Sequence, residues 1–375
     1  MSEVRNSVLS MARAAKVASY KLAVLSTLQK NTILHAMAES VDASRNLIRL
    51  ANEQDLSAAK LAGLSDSLID RLTLSDARIS QMVQGIANII ELEDPVGRVL
   101  LTRRLANGLD LRKVSVPIGV VAIIFESRPN VTADTAALCL KSSNSVILKG
   151  GREALNSNLA IASALKSGGK KAGMPEGAIE VVPITDRDAV RELVQLDELI
   201  DVVIPRGGEG LIRAVTEMSR VPVIKHYKGV CHIFVDQSAD LKHAVDICEN
   251  AKCQRPGVCN AMETLLVHEA IAKEFLPLVV ARLSERGVEL RGDEISRSVV
   301  SDIKPASDED WSTEYLDLIL SIKIVRDVHE AIDHINTFGS HHSDSILSNE
   351  KKSQDAFTAG IDSAAVYVNA STRFT

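Results

Sequence analysis

Five cysteines in 375 residues are too few, and odd in number, for a disulfide framework. They fit a chain kept reduced, and the expected setting is cytoplasmic. No two stand in CxxC spacing, so neither a zinc cluster nor a redox dithiol is indicated. Glycine (20) and proline (10) are scarce, which excludes collagen-like and linker-like chains. Basic residues are not in excess: 43 Lys and Arg face 49 Asp and Glu, for a net charge of −6 and no long basic run. A generic nucleic-acid or polybasic membrane role is therefore not expected. The longest apolar run is 118–125 (IGVVAIIF), far short of the ~20 residues that span a bilayer. The opening MSEVRNSVLSMARAAK lacks the sustained apolar core of a signal peptide. What is present is globular: 46% hydrophobic and 25% charged residues, enough for a full core. The length suggests two domains or one large composite.

The first hundred residues predict helices, with apolar positions recurring at helical spacing through Val8, Met11, Ala15, Ala18 and Leu22, and again through Ile33, Ala36 and Met37. From Leu109 the pattern changes. Residues 109–116 (LDLRKVSV) alternate like a half-exposed strand, and 120–125 (VVAIIF) make the continuous apolar run of a buried parallel strand. Strands are then expected at 145–149, 178–183, 200–204 and 222–225, alternating with helices at 132–141, 152–166, 186–196 and 209–218. This alternation predicts a parallel, doubly wound α/β sheet. A second unit of the same class starts near Val230. Its expected strands are 231–236, 263–268, 321–325 and 344–347, with helices at 240–252, 269–285 and 327–337. Residues 287–318 read as charged and irregular, and AVYVN (365–369) as a buried strand.

Five segments carry candidate chemistry. Cys259 lies in NAKCQRPGVCNAMETLLV (250–267), where Pro256 and Gly257 turn the chain between a helix and a strand. It is either a nucleophile or an inert buried thiol. Nearby positive charge favours a thiolate, and Lys252 and Arg255 are close in sequence. Cys139, Cys231 and Cys248 read as core, and Cys253 is ambiguous. FESRPNVT (125–132) follows a buried strand, where doubly wound sheets bind ligands. There Asn130 could donate to an oxyanion and Arg128 could pair with an anion, or the segment could be a plain turn and helix cap. LKGGREALNSN (148–158) and PRGGEGLIRAV (205–215) each place glycines between a strand and a helix. Helix N-termini bind phosphates, so Lys149, Gly150, Gly151, Gly207, Gly208, Glu209 and Gly210 are candidate dinucleotide contacts, although neither segment is a GxGxxG. HINTFGSHHSDSI (334–346) holds adjacent histidines, but its spacing matches no standard zinc pattern and a polar loop is the preferred reading.

These segments together resemble the γ-glutamyl phosphate reductases, a family within the aldehyde dehydrogenase superfamily. The resemblance covers essentially the whole chain. Its most specific pieces are ASYKLA (18–23), VPIGVVAIIFESRPNVT (116–132), VILKGG (146–151), IPRGG (204–208), GVCHIFVD (229–236), residues 250–267 and AVYVNASTRFT (365–375). The run from Val325 to Ile346 fits the family signature, except that Phe338 stands where Tyr or His is expected. The resemblance implies an aldehyde dehydrogenase-like α/β fold: two doubly wound parallel-sheet domains with a small oligomerisation ribbon. It places an NADPH-binding domain at 1–108 and 118–230, the oligomerisation strand at 109–117 and a catalytic domain at 231–363. Residues 364–375 are expected to return to the cofactor domain, with family members continuing for a few dozen residues beyond.

The implied reaction is the NADPH-dependent reduction of L-glutamate 5-phosphate to L-glutamate 5-semialdehyde and phosphate, a step of proline biosynthesis. The product cyclises to 1-pyrroline-5-carboxylate. Cys259 matches the nucleophile that carries a thioester, and Asn130 with the Cys259 N–H matches the oxyanion hole. Lys149 would hold the adenosine ribose or its 2′-phosphate, and 207–210 would lie under the pyrophosphate. Arg128, Arg255 and His342 are candidate substrate contacts, and no metal is implied. A homo-oligomer and a functional pairing with glutamate 5-kinase are also implied, with the site expected in a cleft between the domains. Hydrolytic aldehyde dehydrogenases need a carboxylate to activate water, whereas the corresponding segment here, KHYKGVCH (225–232), has none. Two other readings stay open: an aldehyde dehydrogenase-like oxidase of another substrate, and an inactive family fragment that at most binds nucleotide.

Overall fold

The computed structural model describes residues 3–225 and 227–375, Ser67 by its backbone alone. His226, within the segment 225–232 discussed above, lies outside the described residues. The chain divides near residue 226 into two compact units.

Unit 1 opens with five helices: α1 (Glu3–Leu22), α2 (Thr27–Ala43), α3 (Arg45–Leu61), α4 (Asp66–Leu72) and α5 (Asp76–Glu91). Ser26 and Gln29 form a reciprocal capping box at the start of α2, and Ser75 caps α5. The chain then makes an antiparallel ribbon of β1 (Val99–Arg104) and β2 (Asp110–Val114), every residue of it exposed. This corrects the expectation that the first hundred residues are helical throughout, and it gives the expected strand at 109–117 a local partner. Leu105 N donates to Leu109 O, and Gly108, at φ 86, closes a turn tight enough for 99–104 to fold back as that partner.

The sheet of unit 1 contains β3 (Val120–Phe125), β4 (Ser145–Lys149), β5 (Ile179–Val181) and β6 (Val202–Arg206), all parallel, in the order β5-β4-β3-β6. Helices α6 (Asn130–Lys141), α7 (Leu155–Lys171) and α8 (Asp188–Val194) connect them, and α9 (Glu209–Met218) follows. The unbroken apolar run of β3 is explained by burial on both faces. Val121, Ile123 and Phe125 pack with α2, α5, α6 and α7, whereas Val120, Ala122 and Ile124 pack with α1, α8 and α9. The expected strand at 222–225 is only a single bridge, Val203 to Val223. Strands β4 and β5 lie on one side of β3 and β6 on the other. The connections therefore reverse at β3, the topological point where open α/β sheets bind ligands.

Unit 2 is built from β7 (Cys231–Val235), α10 (Leu241–Cys253), β8 (Met262–His268), α11 (Ala272–Glu285), β9 (Glu289–Gly292), α12 (Glu294–Val299) and β10 (Lys304–Pro305). It continues with β11 (Ile319–Val325), α13 (Val328–Phe338), β12 (Ser343–Leu347), α14 (Lys351–Gly360) and β13 (Ala365–Val368). The seven strands are parallel, in the order β10-β9-β11-β8-β7-β12-β13. Ile233, Val235, Leu265 and Val267 pack with α10 and α11, and Phe234 and Leu266 with α13 and α14.

Three expectations are corrected here. Residues 287–318 contain two short strands and a helix rather than only irregular chain, and α14 lies where no helix was expected. Residues 364–375 belong to unit 2, where β13 pairs in parallel with β12. Being the edge strand, β13 is half-buried rather than buried. No helix among the described residues is long and apolar enough to cross a membrane.

Candidate active site

In unit 1 the candidate residues gather at the carboxyl ends of β3, β4 and β6. Directly after β3, Ser127 adopts φ 52, a conformation uncommon outside glycine. It is held there by Glu153, whose Oε1 accepts from Ser127 N (2.7 Å) and Ser127 Oγ (3.1 Å). Arg128 is exposed, and Asn130, the first residue of α6, is half-buried. One Asn130 Nδ2 hydrogen donates to Asp134 Oδ2 at 2.9 Å, which fixes the amide plane. Burial raises the Asp134 carboxyl above its ordinary range, and the Asn130 hydrogen bond only partly opposes this.

Lys149 ends β4 almost fully buried, with Nζ on the carbonyl of Gly150 at 2.9 Å. Burial lowers its pKa against the pull of Glu153. A Cβ on Gly150 would lie 2.1 Å from Asn158 Nδ2, so any larger residue would have to displace that buried amide. Beyond β6, Gly208 N donates to Glu126 Oε2 at 3.1 Å, and a Cβ on Gly207 would come within 2.5 Å of the same oxygen. Glu209 begins α9, and Gly210 lies in its first turn. A carboxylate oxygen thus already occupies the place where a phosphate oxygen would accept from the start of α9. Glu126, Asp134 and Glu153 are not singled out by the sequence. Their signal was position alone, one residue past β3, one turn into α6 and beside the two glycines.

In unit 2 the candidates gather at the opposite, amino-terminal edge of the sheet. Cys259 is exposed, which removes the buried-thiol reading. Its backbone is tightly held. Gly229 packs so closely that an added Cβ would lie 1.9 Å from Cys259 O and 2.5 Å from Cys259 Cα. The Cys231 thiol donates to Cys259 O at 3.2 Å. Burial pushes that thiol well above its ordinary pKa, so it remains a protonated donor. Cys231 Sγ also lies 3.8 Å from His342 Nδ1, which is 2.7 Å from Ser343 Oγ. The structure therefore brings Cys259, Cys231 and His342 together.

Asn260 donates to Thr375 O (3.1 Å), Thr372 donates to Asn260 O (2.8 Å) and Arg373 donates to Gln254 (3.0 Å). The final residues thus fold onto the Cys259 loop, a second reason that 364–375 belongs to unit 2. Arg255 is exposed on this loop. Lys252 is not available to the thiol, because it is fully buried on Glu263. Cys139 and Cys248 are buried and Cys253 is half-buried. Among the described residues no group of three or more His, Cys, Asp or Glu could hold a metal ion.

A parallel α/β unit with an anion-accepting glycine turn, and a second with an exposed, backbone-anchored cysteine, match a known class. Residues 3–300 match the aldehyde dehydrogenase family, and the chain belongs to that family of nicotinamide-dependent oxidoreductases. An acetylating aldehyde dehydrogenase from Geobacillus thermoglucosidasius shares the fold at 21% identity and TM-score 0.70, over 99% of this chain and 88% of that one. Within the family the chain falls among the γ-glutamyl phosphate reductases. It is 52% identical over 368 residues to the γ-glutamyl phosphate reductase of Carboxydothermus hydrogenoformans, covering 98% of this chain and 89% of that one. The crystal structure of γ-glutamyl phosphate reductase from Thermotoga maritima superposes at TM-score 0.95 with 49% identity, covering 98% and 89%.

Proposed function

We propose that this chain reduces L-glutamate 5-phosphate to L-glutamate 5-semialdehyde and inorganic phosphate with NADPH, through a thioester on Cys259. The observation that carries the reading is the identity of about half the residues, over nearly the whole chain, with relatives named for this activity. The Cys259 thiolate attacks the acyl carbon, the bond to the phosphate oxygen breaks, and phosphate leaves. NADPH, when bound, supplies the hydride that converts the thioester carbon to the aldehyde level. The resulting thiohemiacetal collapses, its C–S bond breaks, and the semialdehyde departs and cyclises to 1-pyrroline-5-carboxylate. Asn130, whose amide is fixed by Asp134, and the Cys259 N–H are assigned to the developing oxyanion.

Unit 1 is the cofactor unit on this reading. Gly207 to Gly210 would hold the pyrophosphate, with Gly208 N, now on Glu126, available as a donor to it. Lys149 and Arg152 lie at the end of β4, while the neighbouring Glu153 is turned onto Ser127. Basic side chains there favour a 2′-phosphate, hence NADPH over NADH. Unit 2 carries the nucleophile, and Arg128, Arg255 and His342 are proposed substrate contacts. The ribbon β1–β2 exposes Leu100, Leu101, Leu111 and Val114 and is proposed to pair with another copy of the chain. The acyl phosphate is labile, so glutamate 5-kinase is the partner this reading implies, in the cytoplasm.

The test is the reverse reaction. The chain is mixed with 1-pyrroline-5-carboxylate and NADP⁺, with and without phosphate, and NADPH formation is followed. Phosphate-dependent NADPH formation is expected. NADPH formation indifferent to phosphate would refute acyl-phosphate chemistry.

A further inference from the structure

Lys252 lies in the last turn of α10 and Glu263 is the second residue of β8, so together they bracket the loop that carries Cys259. Their Nζ and Oε2 atoms are 2.6 Å apart, and neither side chain has any exposed surface. Burying two charges costs several kcal/mol per ion, so such a pair is a poor source of stability. Its better-attested use is to specify one arrangement. Here the arrangement is the spacing between the end of a helix and the start of a strand, the two stems of the loop.

The other carboxylate oxygen reaches a second segment. Glu263 Oε1 accepts from Leu316 N at 3.4 Å. Leu316 has φ 55, a left-handed conformation that a branched side chain rarely adopts and that persists only when its surroundings impose it. The residue is 44% exposed, and its carbonyl lies 3.6 Å from where a Cβ on Gly257 would stand. An outlying backbone conformation, an exposed leucine and the nucleophile loop therefore converge on one buried carboxylate. Tyr315, beside Leu316, has Lys252 Nζ 5.8 Å from its ring centre and donates to Asp310 at 2.6 Å, which ties this segment to the same ammonium.

We propose that Glu263 is a positioning residue for Cys259: one oxygen closes the stems of the Cys259 loop through Lys252, and the other holds Leu316 as a rigid wall against that loop. The proposal rests on Cys259 being the nucleophile. Glu263 touches no reacting atom. It acts by fixing where the thiol and the rim beside it stand.

The test compares Glu263→Gln, the apolar pair replacement Lys252→Met/Glu263→Met and Cys259→Ala, all in the full chain. Thermal midpoint, kcat and KM of the reverse reaction, and the rate of Cys259 alkylation by iodoacetamide are measured. In Glu263→Gln the amide oxygen can accept from Lys252, but the amide nitrogen then faces Leu316 N, which loses its acceptor. The kcat of this variant is expected to fall about 10–100-fold, with a much smaller change in KM and an altered alkylation rate. The double Met variant is expected to melt at or above the unmodified chain, since apolar replacement of both partners is tolerated. Its kcat should nevertheless stay low, because Leu316 N has lost its acceptor.

A role in stability alone predicts the reverse, with kcat recovering as the midpoint recovers. That result, or a kcat within about twofold in Glu263→Gln, overturns the proposal. If Glu263→Gln does not fold, the double variant carries the comparison. An active Cys259→Ala would overturn the nucleophile itself, whereas an inactive Cys259→Ala beside a fully active Glu263→Gln would overturn only the positioning role.

Discussion

Replacing Gly229 by alanine is the most direct probe of how the thiol is placed. Gly229 is not among the glycines at positive φ, so backbone conformation does not oppose the change. Space does. The new methyl carbon would begin 1.9 Å from Cys259 O, and ordinary contact begins at 3.4 Å, so the two backbones must part by about 1.5 Å. Neither contact atom is the end of a flexible side chain; both belong to main chain. The Cys231 thiol, 3.2 Å from the same carbonyl, must let go as the loop moves. Displacing a reacting group by about 1 Å costs on the order of 10²-fold in rate, so kcat should fall by at least about that factor. Gly229 lies in unit 2 and is not one of the proposed cofactor contacts, so NADPH binding should be unchanged. The assay is steady-state kinetics of the reverse reaction, with NADPH affinity by fluorescence titration and the thermal midpoint as a check on folding. A folded Gly229→Ala with kcat within about threefold of the unmodified chain would refute the placement argument.

Cys259→Ser should abolish turnover while NADPH affinity holds, because a hydroxyl is a far weaker nucleophile at neutral pH; retained turnover would remove Cys259 from the chemistry. Asn130→Ala should lower kcat by about 10²–10³ if the amide is an oxyanion donor, and a loss of under about threefold in the same kinetic assay counts against that role. Phe338→Tyr should stabilise unit 2. Lys323 donates to His334 Nδ1 (3.2 Å), which leaves the proton on Nε2, a buried atom with no hydrogen-bond partner. The Phe338 ring centre is 4.7 Å from that imidazole, so a phenolic oxygen on this ring is the acceptor that the substitution tests. A recovered hydrogen bond of about 1 kcal/mol should raise the midpoint by roughly 2–4 °C, and calorimetry showing no rise would count against it.

How much of this was legible depends on whether the signal was local. The run 120–125 announces a strand buried on both faces because every residue in it is apolar, and the structure splits that run alternately between two cores. The glycines at 150 and 207 are visible as turn residues, but the reason for each is a distant side chain, Asn158 in one case and Glu126 in the other. Local pattern cannot report that. Cys231 reads as a core thiol and is indeed buried, yet its use depends on a parallel strand pairing that brings it under Cys259. Lys252 misled in the opposite direction. Nearness in sequence suggested a cation for the thiol, whereas the helix end points it inward to Glu263. The ribbon partner 99–104 was missed because VLLTRR shows no strict alternation, a pattern that an exposed two-stranded ribbon does not require.

The surroundings of Cys259 also bear on why a thioester there would meet hydride rather than water. Hydrolysis requires a general base that activates water. Two carboxylates stand at the start of strands beside the Cys259 loop, Glu263 on β8 and Asp344 on β12, and both are fully buried. Glu263 is spent on Lys252 and Leu316 N. Asp344 accepts from His232 N (2.8 Å), from the Nδ1 of the same imidazole (3.0 Å) and from Ser363 Oγ. Burial raises the Glu263 carboxyl to about 7 against the pull of Lys252, so what withholds it from water is its burial and its partners rather than weak basicity. Freeing either would leave a buried ammonium or a buried imidazole unpaired, at a cost of several kcal/mol. On the proposed thioester chemistry, the commitments that fix the strands around Cys259 therefore keep these two carboxylates from serving as the water-activating base that a thioester-hydrolysing relative needs.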